Sequence, residues 1–376
     1  MNRLLYIHPY VFITCGYSNI LFYDTLRKKL FLYKFSGVMD LDGLNRLEHE
    51  HKVILQESDK IWADLTSFIT TNILGGVTNP DSSPFISKEK YIIKHQKDND
   101  NTSYYNILLY ISQIYIDCRG SLAESVFSGI YFRDNIMEST RRWLKDMDLF
   151  KRLNSIHLIC DSQTSIEFLE LINNSISNNI KLDIIFHGDT IDNIFLKSIH
   201  HRKKTLSIAI DCNSYYPKCL EDNNFKYITY VDNENSYTRA CKINEKLANK
   251  LEIIPDANAD IYIRDKCKYS IADLEQRTHR LKDFYLREKI NVFYWGKIFI
   301  NHKGEYLSSK NNTTRTAFNT SLVDYSKLEM EKKGLWFFTR DMVVPCKGCA
   351  FRYLCPSIST IERNFNTFNL CTFGPC

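Results

Sequence analysis

The segment Ser155-Ile156-His157-Leu158-Ile159-Cys160 decides the fold of this chain, because a short apolar run between turn residues is typical of a parallel strand. Comparable runs recur through the middle of the chain, and stretches with helical periodicity, such as 136–153 and 165–174, lie between them. The predicted strands are 106–116, 155–160, 182–186, 206–210, 227–231 and 251–254. Such alternation predicts an α/β fold, either an open sheet or an incomplete (β/α)6 barrel.

The amino-terminal region has a different pattern. β-Branched and aromatic segments joined by turn residues predict a three-stranded antiparallel meander, with helices after it. The predicted strands are 10–14, 20–23 and 30–33, and the predicted helices are 41–47 and 59–69. A polar, turn-rich stretch at 75–103 marks the end of this region. We therefore predict a separate subdomain before the alternating segments.

Composition and charge exclude several functional classes. The chain has 376 residues and a net charge of +5, without a dense run of Lys and Arg that would indicate a nucleic-acid partner. It has no apolar stretch long enough to span a bilayer. The amino terminus lacks the pattern of a signal peptide. We therefore expect a cytoplasmic protein with no membrane span.

The cysteines predict a metal site. Five of the 12 fall within 346–376, and Cys346-Lys347-Gly348-Cys349 places two thiolates within reach of one metal, with Gly348 relieving the tight turn. Cys355 and Cys371 complete a set of four, which suits a [4Fe-4S] cluster or a tetrahedral Zn²⁺. Cys376 is the alternative fourth ligand, although a chain end frays. Unligated thiols or a disulfide pair are the structural alternative.

Two stretches carry a resemblance to a known family. The hairpin Gly296-Lys297-Ile298-Phe299-Ile300-Asn301-His302-Lys303-Gly304-Glu305-Tyr306, followed by Cys346-x2-Cys349-x5-Cys355, resembles the SPASM extension of radical S-adenosylmethionine peptide-modifying enzymes. The run from Cys346 to Pro356 and the later Asn369-Leu370-Cys371 resemble a pseudo-radical-SAM subgroup. That subgroup is encoded beside small natural-product precursor peptides in Bacteroidetes.

The resemblance implies three domains and one metal centre. The domains are a winged-helix-like peptide-recognition subdomain (1–100), a degenerate radical-SAM-like (β/α)6 barrel (104–290) and a SPASM-like cysteine-rich domain (291–376). Cysteines of the first auxiliary cluster are missing, because Tyr294 and Trp295 and, later, Ser359 stand in their places. The second cluster keeps Cys346, Cys349, Cys355 and Cys371. We expect one [4Fe-4S] cluster there, with Zn²⁺ as the alternative.

The resemblance also implies that radical chemistry is lost. The catalytic C-x3-C-x2-C motif would fall at Cys118, Leu122 and Ser125, so only one of its three thiolates remains. Cys160-Asp161-Ser162 replaces the Gly-Gly-Glu that usually follows the second strand. We therefore expect a pseudoenzyme that does not cleave S-adenosylmethionine.

The implied partner is the leader of a ribosomally made precursor peptide. In the family, a winged-helix-like element captures the leader as an added strand, and Leu30, Phe31, Leu32 and Tyr33 are the candidate edge here. We expect a non-catalytic protein that assists the maturation or export of this peptide, together with a maturation enzyme or a peptide exporter. The alternatives are an enzyme that uses the iron–sulfur cluster for electron transfer and a zinc-stapled structural protein.

Polar residues at the strand ends form a second candidate site. Asp161, His187, Asp211 and Asp232 each follow a predicted strand at its carboxyl end, where α/β proteins bind ligands. A peptide or nucleotide pocket is one interpretation, and helix caps and turns are the other. The sequence contains no evident nucleophile–base pair, phosphate loop or two-histidine metal motif.

Overall fold

A computed structural model describes most of the chain and divides it into two compact units. The described residues are 3–35, 40–55, 60–80, 110–118, 140–161, 164, 166–187, 204–210, 226–247, 250–256, 258–301, 305–307, 315–316, 320–332 and 334–372. The first unit contains 1–96, 267–293 and 339–376, and the second contains 97–266 and 294–338. Within the described ranges, no helix is long and apolar enough to cross a membrane.

The first unit contains two three-stranded antiparallel sheets. Its strands are β1 (Arg3–Ile7), β2 (Val11–Cys15), β3 (Asn19–Asp24), β4 (Lys29–Lys34), β5 (Lys52–Leu55) and β6 (Gly75–Thr78). One sheet has the order β2–β3–β4, which confirms the predicted meander. The other has the order β5–β1–β6, which the sequence did not predict, since β5 and β6 have only four residues each.

Helices complete the first unit. They span Leu41–Glu50, Lys60–Thr71, Ile271–Glu275, Leu281–Lys289 and Thr360–Asn364. The first begins where the side chain of Asp40 accepts a hydrogen bond from the backbone of Asp42. It ends at His51, which takes a left-handed conformation and donates its backbone N–H to Leu47. Both predicted helices of this region are therefore confirmed.

Strands β2 and β3 are buried on both faces. Alternate residues of a strand point to opposite sides, so the two strands separate two apolar clusters. Ile13 and Phe22 enter the cluster that contains the helices Leu41–Glu50 and Lys60–Thr71. Phe12, Leu21 and Tyr23 enter a second cluster, whose other members come from the carboxyl-terminal part of the unit: Leu274, Phe284, Tyr285, Cys349, Ala350, Phe351, Tyr353, Leu354 and Cys355.

The second unit is built on a nine-stranded sheet. Its strands are β7 (Gln113–Asp117), β8 (Ser155–Asp161), β9 (Lys181–His187), β10 (Lys204–Ile210), β11 (Lys226–Val231), β12 (Leu251–Pro255), β13 (Lys297–Ile300), β14 (Glu305–Tyr306) and β15 (Arg315–Thr316). Strands β7 to β12 are parallel and lie in sequence order, which confirms the predicted α/β class. The described strands form an open sheet with β12 and β15 at its edges, and barrel closure stays a prediction.

The predicted hairpin near Gly296 is also part of this sheet. β13 pairs in parallel with β7 and antiparallel with β14, which confirms the hairpin. For this reason 294–338 belongs to the second unit, whereas 339–376 belongs to the first. This division differs from the predicted domain over 291–376. Among the described residues, the helices of the second unit are 140–147, Ile166–Ser175, Glu234–Lys246, Ile261–Lys266 and Leu322–Lys332.

Strands β7 to β9 are fully buried on one face only. Ile114, Leu158 and Ile184 point into a cluster with Trp143 and Leu169. The opposite face is mostly half-buried, apart from the buried Ser155, and carries polar side chains, which the nearly continuous apolar runs did not indicate. One face of the sheet is therefore packed in the core, and the other face carries the polar side chains.

Replacing Leu158 with Ala tests this assignment of faces. We expect the free energy of unfolding to fall by about 2–5 kcal/mol, because a fully buried side chain is removed from the cluster. As a control, Leu149→Ala removes an exposed leucine and should change stability by less than about 0.5 kcal/mol. Urea denaturation measures both, and equal effects would contradict the assignment.

Candidate metal centre

Tight turns bring three of the four predicted cysteines together. Cys346–Gly348 forms one turn of 3₁₀-helix, and the backbone N–H of Cys349 donates to Cys346 O at 3.0 Å. The next turn closes where the N–H of Cys355 donates to Phe351 O at 2.9 Å. These three cysteines are buried, and Cys371 is half-buried.

The other three thiols influence the electrostatics of Cys355. Burial raises the pKa of Cys355 to about 12; Arg340 opposes this shift, and Cys349, Cys346 and Cys371 add to it. Thiols with raised pKa values keep their protons at neutral pH, and that of Cys346 donates to Phe368 O at 3.1 Å. Cys371 stays the predicted fourth ligand, and Cys376 lies outside the described residues.

The donor set fits a metal in its chemistry, since four thiolates suit a [4Fe-4S] cluster or Zn²⁺. Within the part of the chain that the structure describes, no three Cys, His, Asp or Glu side chains have the mutual spacing of a completed metal site. Metal binding requires thiolates and releases protons, so the thiol hydrogen bonds would be exchanged for metal bonds. The turns that hold Cys346, Cys349 and Cys355 already supply the short backbone spans that such a site needs.

A buried arginine joins the segments that carry these cysteines. Arg340 has only 5% of its surface exposed, and its Nη1 donates to Cys346 Sγ at 3.4 Å and to Phe368 O at 2.9 Å. Its Nε donates to Pro356 O at 2.7 Å. Arg340 therefore contacts Cys346 itself and the chain next to Cys355 and before Cys371. Sequence reasoning missed it, since an arginine six residues before the first cysteine forms no recognised motif.

The charge of Arg340 is balanced by Glu362. The Nη2 atom of Arg340 lies 2.9 Å and 3.2 Å from the two carboxylate oxygens of Glu362. Glu362 also accepts a hydrogen bond from the backbone N–H of Ser359, at 3.0 Å, and so caps the helix Thr360–Asn364. Although burial lowers the pKa of Arg340, Glu362 and the thiols Cys355 and Cys346 raise it, so the guanidinium stays charged.

Two further contacts attach the cysteine segment to the amino-terminal sheet. Arg352 donates to Cys15 O at 2.6 Å and to Glu48 Oε1 at 2.8 Å. The backbone N–H of Tyr17 donates to Gly348 O at 3.0 Å. A Cβ at position 348 would overlap the ring of Tyr17. Gly348 therefore accommodates the ring of Tyr17, which is exposed and would have to shift if a Cβ were present. The turn itself does not depend on glycine, contrary to what the sequence suggested, because the φ of Gly348 is not positive.

The candidate peptide-binding residues lie on an edge strand. Among the described strands only β3 pairs with β4. The N–H of Phe35 donates to Ser18 O at 3.1 Å, and hydrogen-bonded pairs alternate along an antiparallel ladder. Phe31 and Tyr33 therefore bond to β3, whereas the backbone N–H and C=O groups of Leu30 and Leu32 point to the outer edge.

The strand-end residues have local structural partners. Asp161 makes a turn with Thr164, whose Oγ1 lies 2.9 Å from the backbone N of Asp161. Asp232 Oδ1 accepts from Ser236 Oγ at 2.9 Å, at the start of the helix Glu234–Lys246. His187 stacks on Tyr230 with ring centroids 5.5 Å apart. Asp211 lies outside the described residues, so a shared pocket of these four residues stays a prediction.

The remaining cysteine of the radical motif ends a strand. Cys118 follows β7 and is buried, and burial together with the neighbouring thiol of Cys160 raises its pKa. One thiol cannot hold a cluster that needs three. Leu122 and Ser125, the other positions of the motif, lie outside the described residues.

No protein-family model, curated protein or solved structure matches this chain. The resemblance to the pseudo-radical-SAM subgroup therefore stays a prediction from the sequence.

Replacing Arg340 with Met tests the buried ion pair. We expect the free energy of unfolding to fall by about 3–5 kcal/mol, because Glu362 is left buried without its partner. Adding Glu362→Gln removes that charge and keeps an acceptor for Ser359, so the double variant should be more stable than Arg340→Met alone. Chemical denaturation compares the two, and a less stable double variant would contradict this role for the pair.

Proposed function

We propose that this chain is a pseudo-radical-SAM protein that performs no S-adenosylmethionine chemistry and binds a ribosomal precursor peptide. In the proposal, a four-cysteine metal centre fixes the sheet that receives the peptide. One observation carries it: the segment of Cys349 and Cys355 packs against β2 and β3 in a single apolar cluster. The metal ligands and the candidate peptide edge thus belong to one packed unit.

Cys346, Cys349, Cys355 and Cys371 would hold the metal. Either a [4Fe-4S] cluster or Zn²⁺ would neutralise the buried thiolates and contribute its binding free energy to folding. The segment around the ligands has little regular structure beyond single 3₁₀ turns and a five-residue helix. A bound metal therefore adds more to the stability of such a segment than it would add to the stability of a helix or a sheet.

The peptide would add a strand to β4. Leu30 and Leu32 present outward backbone groups, and a leader segment can pair with such an edge through main-chain hydrogen bonds. The side chains of Leu30 and Leu32 pack against the cluster of Phe351 and Leu354, whereas Phe31 and Tyr33 pack against the opposite one. Both faces of β4 are therefore supported, so that the edge is held ready for a partner strand.

The metal and the peptide edge would be coupled. Loss of the metal loosens the turns around Cys349 and Cys355, and these residues share a cluster with the side chains of Leu30 and Leu32. If this apolar cluster packs less tightly, β4 is less ordered, and the entropic cost of binding a peptide rises. The bound peptide would then be presented to a maturation enzyme or a peptide exporter.

Cysteine variants test the metal centre. Protein purified without oxygen should carry about one metal centre per chain, and Cys355→Ser or Cys371→Ser should lose it. Cys241→Ser and Cys376→Ser should retain it, since Cys241 lies on a helix of the second unit and Cys376 is outside the predicted set. Elemental analysis counts the metal. Visible absorption then distinguishes the two metals, because an iron–sulfur cluster absorbs at about 400 nm and a zinc–thiolate site is colourless. Retention of metal in Cys355→Ser would contradict the assignment.

Leu32→Pro tests the peptide edge. Proline removes one outward N–H without taking a bond from β3, so a peptide should bind at least about tenfold more weakly. Leu32→Ala is the matched control, because it removes the side chain and keeps the N–H. Calorimetry with synthetic leader peptides from the small open reading frames beside this gene measures both. Equal affinities of the two variants would place the peptide elsewhere.

A further inference from the structure

The polar face of the second unit's sheet brings together three residues that sequence motifs did not connect. Ser155 Oγ lies 3.0 Å from His157 Nε2, and His157 Nδ1 lies 3.3 Å from Asp183 Oδ2. The first is a hydrogen-bond distance, and the second is a close ion-pair contact, so the three side chains follow one another in the order of a serine, histidine and aspartate triad. All three residues lie within one compact unit.

The strand register produces this arrangement. Ser155 and His157 are two residues apart on β8, so their side chains share one face of the sheet. His157 is paired with Asp183 on the adjacent parallel strand β9. Neighbouring strands lie about 4.8 Å apart, which lets an imidazole reach both side chains.

The imidazole is held in one plane by aromatic stacking. The ring of Tyr115 lies 4.2 Å from that of His157 with an angle of 6° between the planes. Phe299 stacks on the other side of Tyr115 at 4.6 Å and 13°. This three-ring stack crosses β13, β7 and β8, and it limits rotation of the His157 ring.

The contacts of the imidazole indicate its proton positions. A carboxylate cannot donate, so the nearby Asp183 favours a proton on Nδ1 of His157, which leaves Nε2 as an acceptor for the Ser155 hydroxyl. Burial lowers the pKa of His157, with Lys181 and Lys297 adding to that effect and Asp183 opposing it. The imidazole is thus neutral at neutral pH, as a base requires.

We propose that Ser155 is a base-activated nucleophile that accepts an acyl group from an ester or thioester. In the first step, Ser155 Oγ bonds to the carbonyl carbon, its proton moves to His157 Nε2, and the C–O or C–S bond breaks. The leaving alcohol or thiol takes that proton. Water then attacks the acyl-serine with His157 as the base, which releases the acid and restores the hydroxyl. Asp183 is a positioning residue, because it acts through His157.

The neighbourhood of Ser155 supports this role. Lys181 is paired with Ser155 in the register of β8 and β9, its ammonium lies 2.8 Å from Asp183 Oδ1, and its side chain is 48% exposed. Ser155 itself is 5% exposed, so the cluster meets the surface at Lys181. Asn154 Oδ1, at 3.1 Å, is a second acceptor for the Ser155 hydroxyl, so the proton has two resting positions. This activity goes beyond peptide binding and is independent of the metal centre.

A serine-directed probe tests the proposal on the intact chain. An alkyl fluorophosphonate forms a P–O bond to an activated serine and loses fluoride, and peptide mass spectrometry locates the adduct. We expect modification at Ser155 in the native protein, and none at that position after denaturation. His157→Phe keeps the aromatic stack and removes the base, so labelling should slow by about 100-fold or more. Ser112→Ala changes a nearby hydroxyl and should leave the rate unaltered.

Asp183 variants separate positioning from packing. Asp183→Asn should slow labelling by at least about tenfold, and Asp183→Glu should restore part of the rate because it again accepts from Nδ1. Hydrolysis of p-nitrophenyl acetate should follow the same order among the variants. The proposal is overturned if native Ser155 is not labelled, or if His157→Phe reacts as fast as the unaltered chain.

Discussion

The first unit depends on the placement of one buried cation. Arg340 has too little exposure to be hydrated, so its donors must be satisfied by the protein. Glu362, two backbone carbonyls and the sulfur of Cys346 meet that requirement. Since these acceptors come from separate segments, the arginine fixes the path of the chain through all the cysteines.

The same constraint extends to the amino-terminal sheet. The segment that Arg340 holds also supplies Phe351 and Leu354 to the cluster beneath β2 and β3. Arg352 and the contact between Tyr17 and Gly348 add polar and backbone links to the same strands. A change in the state of the cysteines would therefore alter the packing beneath β4, which is the physical reason for coupling the proposed metal to the proposed peptide.

The second unit follows a different principle. Its parallel sheet is stabilised by burial of one face, so the side chains of the other face are released from packing. The register then determines which of these side chains meet. Ser155 and His157 share a face because they are two residues apart on β8, and Asp183 lies beside His157 because β8 and β9 pair in parallel. Stacked rings rather than aliphatic packing order this face.

Periodicity in the sequence was sufficient for the meander β2–β3–β4 and for the parallel class of the second unit, because backbone preference and local burial are encoded in neighbouring residues. It was not sufficient for the sheet β5–β1–β6, whose strands β5 and β6 have only four residues each. The clustering of Cys346, Cys349 and Cys355 was also predictable from the sequence alone, because few residues separate them. Only the tertiary structure decided which polar residues meet across strands. It also decided that Arg340 contacts the segments that carry the cysteines. Those contacts join residues far apart in the chain or on different strands, and no local pattern specifies the register or the buried path that brings them together.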